Sequence, residues 1–233
     1  MQAASRITVV GAGAIGSALL PLLATHEAVS LFLIDGDVVS SKDRPRQPLY
    51  ALSDLGRPKV SAARELFRVR HPRSTVDVHA GFLDKGNALE LLARSTVVCD
   101  CTDDLPARLL IDRSCAALGI PLVSGAVHRQ QVQVVTLHAG SAGDASGPGL
   151  RDLFPGRVAE EQEGCLMQDV PVHVTALAAS LMAAHVDALL RNDRRLAGSM
   201  ELLDVATGRW MRMAAPRAMA DGEVLNTKVQ DHG

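Results

Sequence analysis

Ile7-Thr8-Val9-Val10-Gly11-Ala12-Gly13-Ala14-Ile15-Gly16 decides how this chain folds. Four β-prone residues run directly into Gly-x-Gly-x-x-Gly, and helical spacing follows over 17–24. The order is strand, tight turn, helix start. Gly11 permits the turn, Gly13 leaves bare backbone for a phosphate to approach, and Gly16 lets the helix pack close to the strand. Free N–H groups at a helix start carry about half a positive charge and favour an anion. A second strand over 30–34 ends in Asp35, nineteen residues after Gly16. A carboxylate at that place can take both ribose hydroxyls of an adenosine; the same residue also suits an ordinary strand-end turn. Residues 7–35 therefore read as a nucleotide site, with the nucleotide and the chemistry still open.

Working outward, the stretch over 37–50 carries Asp37, Arg46 and Gln47, and its prolines at 45 and 48 exclude a regular helix. It lies at the carboxyl end of the second strand, where open parallel sheets bind ligands. Pro58 suits the first turn of a helix, and Val60, Ala63, Leu66 and Val69 keep helical spacing behind it. Lys59 then sits in a first turn, against the dipole preference, which makes sense beside an anion. Strands are expected over 76–80 and 96–101, and helices over 88–93 and 106–118, the second closed by Gly119. Strands over 122–127 and 131–137 are joined so closely that they must pair antiparallel. A long Ala-rich helix over 172–191 precedes a hairpin that turns at Thr207-Gly208. The predicted fold is α/β: a Rossmann-like mixed sheet with a parallel front half, an antiparallel back half, a C-terminal hairpin and helices on both faces. One domain spans 1–233, with 139–168 a flexible crossover loop and 217–233 a polar tail.

Bulk properties narrow the function. The chain has 233 residues and is 47% hydrophobic, enough to bury a full core. A formal charge of −2 leaves no electrostatic footprint for nucleic acid or an anionic membrane, and 3% aromatic content argues against base-stacking platforms. The apolar stretch over 170–190 carries His173, His185 and Asp187 and reads as a buried helix. Cys99, Cys101, Cys115 and Cys165 form no Cys-x-x-Cys pair, which together with the absence of an apolar leader indicates a reducing, cytoplasmic setting.

Gly11-x-Gly13-x-x-Gly16, Ile34-Asp35-x-Asp37, Arg46-Gln47, Lys59 and Asp100-Cys101-Thr102-Asp103 follow one another in order and at close spacing. This resembles the ThiF/MoeB/HesA superfamily, the bacterial relatives of ubiquitin-activating enzymes. The resemblance implies ATP rather than a nicotinamide. It implies transfer of AMP to the C-terminal carboxylate of a small ubiquitin-like or sulfur-carrier protein ending in Gly-Gly, with release of pyrophosphate. Relatives that activate a peptide or a tRNA-linked carboxylate give an alternative substrate, and a non-catalytic nucleotide-binding protein gives another reading. Carried over by position, Gly11, Gly13 and Gly16 hold the phosphate turn, Asp35 takes the ribose beside Asp37, Arg46, Gln47 and Lys59 contact phosphates, and Asp103 holds Mg²⁺. Asp103 is also placed to cap the helix that follows it. A homodimer, formed through the long helix and the antiparallel back of the sheet, is a further implication. The charge argument agrees: a helix start offers only ~0.5 of a positive charge, so Arg46, Lys59 and a metal must supply the rest.

The chain departs from the family pattern in several places. Asp43 and Asp104 stand where the family phrase has Asn, and a carboxylate near phosphates is repulsive unless metal or Arg44 offsets it. The first of the family's zinc-binding Cys-x-x-Cys pairs would fall at Gly149 and Asp152, so no zinc is expected. Dimeric relatives lend an N-terminal arginine to the partner's site. Here Arg6 is the one arginine ahead of the glycine turn, so the contact is either lost or taken by Arg44. Cys165 admits two readings, a thioester- or persulfide-forming residue or a bystander, and its acidic neighbours Glu160, Glu161 and Glu163 would raise its pKa. Cys99, Cys101 and Cys115 read as core residues.

Overall fold

The computed structural model describes residues 5–26, 29–42, 44–140, 147–154 and 170–214. Asp43, Cys165, the tail over 217–233 and most of the expected crossover loop lie outside the described residues. The elements run β1 (Ser5–Val10), α1 (Ala14–Leu23), β2 (Val29–Ile34), α2 (Lys59–Arg70), β3 (Thr75–His79), α3 (Ala88–Leu92), β4 (Val97–Asp100), α4 (Leu105–Leu118), β5 (Leu122–His128), β6 (Gln131–Leu137), α5 (Leu150–Leu153), α6 (Val172–Leu190), β7 (Ser199–Asp204) and β8 (Arg209–Ala214).

One sheet of eight strands runs in the order β3-β2-β1-β4-β5-β6-β7-β8. The first five are parallel and the last three antiparallel. This is the expected mixed sheet, and the order reverses beside β1, where the chain steps out to β2 on one side and β4 on the other. Strand side chains alternate between faces, and the two hydrophobic clusters follow that alternation. Ile7, Val9, Leu31, Leu33, Val97 and Cys99 face α1, α2 and α6. Val10, Phe32, Ile34, Val98, Leu122 and Met200 face α3, α4 and α5. Near-continuous burial of β1, β2 and β4 explains why these strands read as apolar runs rather than as half-polar ones.

The long helix α6 is apolar and long enough to cross a membrane by length and composition, but half of it is buried, packed on α1, β5 and β6. Gly125 in β5 allows that approach, since a Cβ there would stand 2.3 Å from the Met182 sulfur. Behind α6, the sheet holds a buried polar group: Thr136 Oγ1 and His185 Nδ1 are 2.7 Å apart, and Arg212 Nε donates to Glu201 Oε1 at 2.8 Å. His185 Nε2 lies 3.6 Å from Glu201 Oε2. Burial lowers the His185 pKa against the pull of Glu201. Cys99, Cys101 and Cys115 are buried, and desolvation raises each thiol far above its usual range, so they are inert core residues as expected.

Candidate functional site

The glycine turn sits at the carboxyl end of β1, at the point where the strand order reverses. Gly11 has φ +93°, a left-handed conformation that favours glycine, and its amide donates to Ile34 O at 2.9 Å. A Cβ at Gly16 would lie 2.0 Å from Gly11 O, so only glycine lets α1 start so close to the strand. A Cβ at Gly13 would meet nothing within 4 Å. Gly13 is the N-cap of α1 and supplies no side-chain cap, and the first turn holds no acidic residue. The start of α1 at Gly13 therefore has open space beside it and no side chain capping its first N–H groups, an arrangement suited to an anion.

Three segments close around this turn, each braced by hydrogen bonds. The first is the end of β2. Asp35 is buried and accepts from Ala12 N–H at 2.6 Å through one oxygen and from Asp37 N–H at 2.7 Å through the other. It fixes the glycine turn, and each oxygen keeps a further lone pair. Asp37 accepts from Lys59 Nζ at 2.9 Å, and Lys59 N–H donates to Asp37 O at 2.9 Å. The Lys59 side chain is only 5% exposed, against 56% for Asp37. A chain of bonds thus runs from Lys59 through Asp37 and Asp35 to the glycine turn.

The second segment carries Arg46 and Gln47. Residues 44–46 form one 3-10 turn, and Tyr50, just beyond it, donates its hydroxyl to Ala12 O at 2.9 Å. Ala12 is held at both ends, its N–H by Asp35 and its C=O by Tyr50. Burial, with Asp35 and Asp54 nearby, pushes the Tyr50 phenol well above its ordinary range, so it stays a donor. Gln47 is buried, and its Oε1 has no partner among the described residues. An orphaned buried acceptor beside an anion-binding turn fits a site shaped for a polar ligand. Sequence reasoning missed Tyr50, although it is the only tyrosine in the chain and stands three residues after Gln47.

The third segment follows β4. The backbone at Cys101 and Thr102 abuts Gly11, where a Cβ would stand 2.9 Å from Cys101 O. Asp100 is buried and saturated: it accepts from Thr102 N–H (3.0 Å), Thr102 Oγ1 (2.6 Å) and Ser124 Oγ (2.6 Å), with Arg108 Nε at 3.3 Å. Arg108 also donates to Thr102 O at 2.6 Å and Gly125 O at 3.1 Å. Arg108, also unforeseen, locks the loop that carries Asp103. Asp103 itself is exposed and has no hydrogen-bond partner among the described residues. The expectation that Asp103 caps α4 is corrected: Asp104 is the N-cap and accepts from Ala107 N–H at 2.9 Å. Asp and Asn are about equally good there, so the departure at 104 has a structural account, and its carboxylate is engaged with a helix start rather than aimed at phosphates.

Two further features border the site. Phe82, just past β3, is 66% exposed, and its ring occupies the space over Gly36, where a Cβ would meet it at 2.7 Å. Its loop is held by Asn87 Nδ2 donating to Phe82 O at 3.1 Å and by Asp84 N–H donating to Asn87 Oδ1 at 2.9 Å. Arg6 is placed elsewhere: its guanidinium lies 4.3 Å from the Phe32 ring centroid and 3.8 Å from Asp77, at the strand end away from the glycine turn. Gly149 and Asp152 serve α5, where Asp152 Oδ2 accepts from Gly149 N–H at 2.8 Å. No group of three or more metal-ligating side chains occurs among the described residues. Mg²⁺ needs none, because it is usually held by one or two carboxylates together with substrate phosphates, and Asp103 fits that use.

A doubly wound sheet with an open glycine turn at its reversal point defines a nucleotide-binding α/β protein. The family model described as the ThiF family matches residues 2–224, and the chain belongs to that family. It is 31% identical to a sulfur carrier protein adenylyltransferase of Thermus thermophilus over 217 residues, covering 91% of this chain and 79% of the relative. It is 36% identical to the SAMP-activating enzyme E1 of Haloferax volcanii over 151 residues, 65% of this chain and 54% of that protein. Among solved structures it resembles Escherichia coli MccB with ATP, with TM-score 0.77 at 15% identity, covering 93% of this chain and 65% of the other. The chain thus spans about half of the Haloferax relative and about two thirds of MccB, and the likeness to MccB is one of fold.

Proposed function

We propose that this chain is an ATP-dependent adenylyltransferase that activates the C-terminal carboxylate of a small ubiquitin-like or sulfur-carrier protein ending in Gly-Gly. The observation that carries the reading is the uncapped, open start of α1 at Gly13, ringed by the segments bearing Lys59, Arg46-Gln47 and Asp103. The names of the Thermus and Haloferax relatives support the same reading.

The α1 start takes a phosphate, Asp35 the ribose, and Lys59 and Arg46 balance the remaining phosphate charge, Arg through a planar fork and Lys as a point charge. The base then lies beyond β2 toward β3, against the exposed Phe82 ring. Asp103 would hold Mg²⁺, which would supply neutralisation of the phosphate charge. The carboxylate oxygen of the carrier attacks the α-phosphorus in line, the bond to the β-phosphate oxygen breaks, and pyrophosphate leaves. No protein nucleophile enters this step. Catalysis is positioning plus charge stabilisation. The chain works in the cytoplasm as a homodimer, for which the outward α6 residues Val172 and Leu177, both exposed, offer an apolar face.

The test is ATP–pyrophosphate exchange with Mg²⁺ and candidate carriers. Exchange should require the Gly-Gly terminus and fall below detection in Asp103→Ala, with the melting temperature unchanged. Exchange that survives Asp103→Ala removes the role given to that residue. Tight binding of NADH with none of ATP removes the whole reading.

A further inference from the structure

β5 and β6 are joined by two residues, Arg129 and Gln130. Arg129 has φ +52°, while Gln130 is not in the left-handed region. A positive first and negative second φ is the pattern of a type II′ turn, which asks for glycine first. An arginine there is strained, and strain held at an exposed turn points to a use for the side chain. Arg129 is exposed and has no partner among the described residues.

The turn is part of a built surface. Val205 N–H donates to Gln130 O at 2.8 Å, which ties the β5–β6 tip to the β7–β8 tip. Between the tips lies an open depression of about 350 Å³ lined by His128, Arg129, Gln130, Gln131, Asp204 and Ala206. Asp204 is engaged by its own turn, accepting from Thr207 N–H at 3.1 Å, and Arg209 lies opposite it in the register of the hairpin. Among the described residues Arg129 and Arg209 are the arginines at these tips, and Arg129 is the one that lines the depression between them.

Its position relates it to the nucleotide crevice. β5 runs parallel to β4 and β1, so its tip stands at the same end of the sheet as the glycine turn. Ser124 is level with Asp100, and β5 continues to His128 before the turn. At about 3.3 Å per residue the tip rises roughly 15 Å above the crevice floor, and two to three strand spacings of about 4.8 Å add roughly 10–14 Å sideways. An extended polypeptide covers that path in about five or six residues.

We propose that the joined hairpin tips are the docking point for the tail of the protein substrate, where Arg129 pairs with a carboxylate side chain four to six residues before the reacting terminus. This rests on the proposed function and adds to it a charge requirement on the substrate at a stated distance from its end.

The test uses ten-residue peptides ending in Gly-Gly, neutral except for one Glu placed from the third to the eighth residue from the C-terminus. Each is titrated against the full chain in the presence of ATP and Mg²⁺. Glu at the fifth to seventh place, four to six residues before the terminal glycine, should bind about two- to fivefold tighter than the neutral peptide, as expected of an exposed Arg–carboxylate pair. Arg129→Gly should lose that gain, and Arg129→Glu should transfer it to Lys at the same place, both with ATP affinity unchanged. Arg129→Gly should melt at the same or a higher temperature, because glycine adopts the turn without strain. A gain at no position, a gain that persists in Arg129→Gly, or peptides that do not bind would each overturn the docking point. ATP binding that fails altogether would instead bring down the proposed function.

Discussion

Replacing Gly13 by Ala separates folding from nucleotide binding. The added Cβ meets nothing within 4 Å, and φ at Gly13 is −77°, outside the left-handed region. Alanine is a poorer N-cap than glycine, so stability should fall by about 1 kcal/mol. The space that the methyl enters is the one assigned to a phosphate. Loss of one hydrogen bond from backbone N–H to a charged oxygen costs about 1.5–3 kcal/mol, which is roughly a ten- to hundredfold weaker Kd. Gly16→Ala is the contrasting variant: its Cβ falls 2.0 Å from Gly11 O, a backbone atom that cannot step aside. Forced overpacking of that kind costs about 1–3 kcal/mol or more. Urea unfolding and calorimetric titration with ATP read the two quantities separately. Gly13→Ala should keep its fold and lose its ligand, whereas Gly16→Ala should lose stability first. Wild-type ATP affinity in folded Gly13→Ala would refute the placement of a phosphate at the α1 start.

Three further outcomes are expected. Asp104→Asn should leave stability within a few tenths of a kcal/mol while Asp104→Ala costs about 1 kcal/mol; a urea midpoint that does not fall in Asp104→Ala would show that the cap at Ala107 N–H contributes nothing. Phe82→Ala should weaken ATP by about 1–3 kcal/mol, the usual worth of a base stacked on an aromatic ring, and leave inhibition by tripolyphosphate unchanged; equal weakening of both ligands would place the ring away from the base. His185 is held neutral by burial, below its ordinary pKa of 6.5, so the unfolded chain binds the proton first as pH falls. Its contribution is complete above pH 6.5 and is lost as the pH drops below that value, and urea unfolding at stepped pH should show a slope that His185→Gln flattens.

The sheet was legible because its strands announce themselves. Ile7, Val9, Leu31 and Leu33 bury one face and Val10, Phe32 and Ile34 the other, so each strand reads as an unbroken apolar run between turn residues. The glycine turn was legible for a steric reason: Gly11 and Gly16 occupy places that no Cβ can. Helix starts were less so. The expected start at 106 lies one residue inside α4, because a proline looks like the first helical residue while Asp104 does the capping. The connections across the crevice were not legible at all. Tyr50 reaches Ala12 over 38 residues and Arg108 reaches Gly125 over 17. Neither side chain carries a local signal of that reach, and neither bond exists until the sheet has brought the segments together. Arg6 shows the converse, since nearness in sequence to the turn did not bring it near the site: a strand carries its first residues to the opposite end of the sheet.

Lys59 joins these two levels. Its place in the first turn of α2 suggested an anion nearby, and the anion found is Asp37, 2.9 Å from the ammonium. This does not remove the lysine from the phosphate site, because the two members of the pair are held unequally. Lys59 is buried and its backbone N–H is fixed to Asp37 O, so the ammonium cannot leave. The Asp37 carboxylate is more than half exposed and so can turn out to water, provided another anion takes its place beside the buried ammonium. A triphosphate carries several negative charges and arrives with the α1 start already favouring it, so it can replace that one carboxylate at small cost. Asp35 behaves oppositely: buried, with both oxygens bound to backbone amides, it is part of the frame and stays. In the proposed reading the two acidic residues at the end of β2 thus divide the work, Asp35 holding the glycine turn in shape and Asp37 pairing with Lys59 until a stronger anion takes its place.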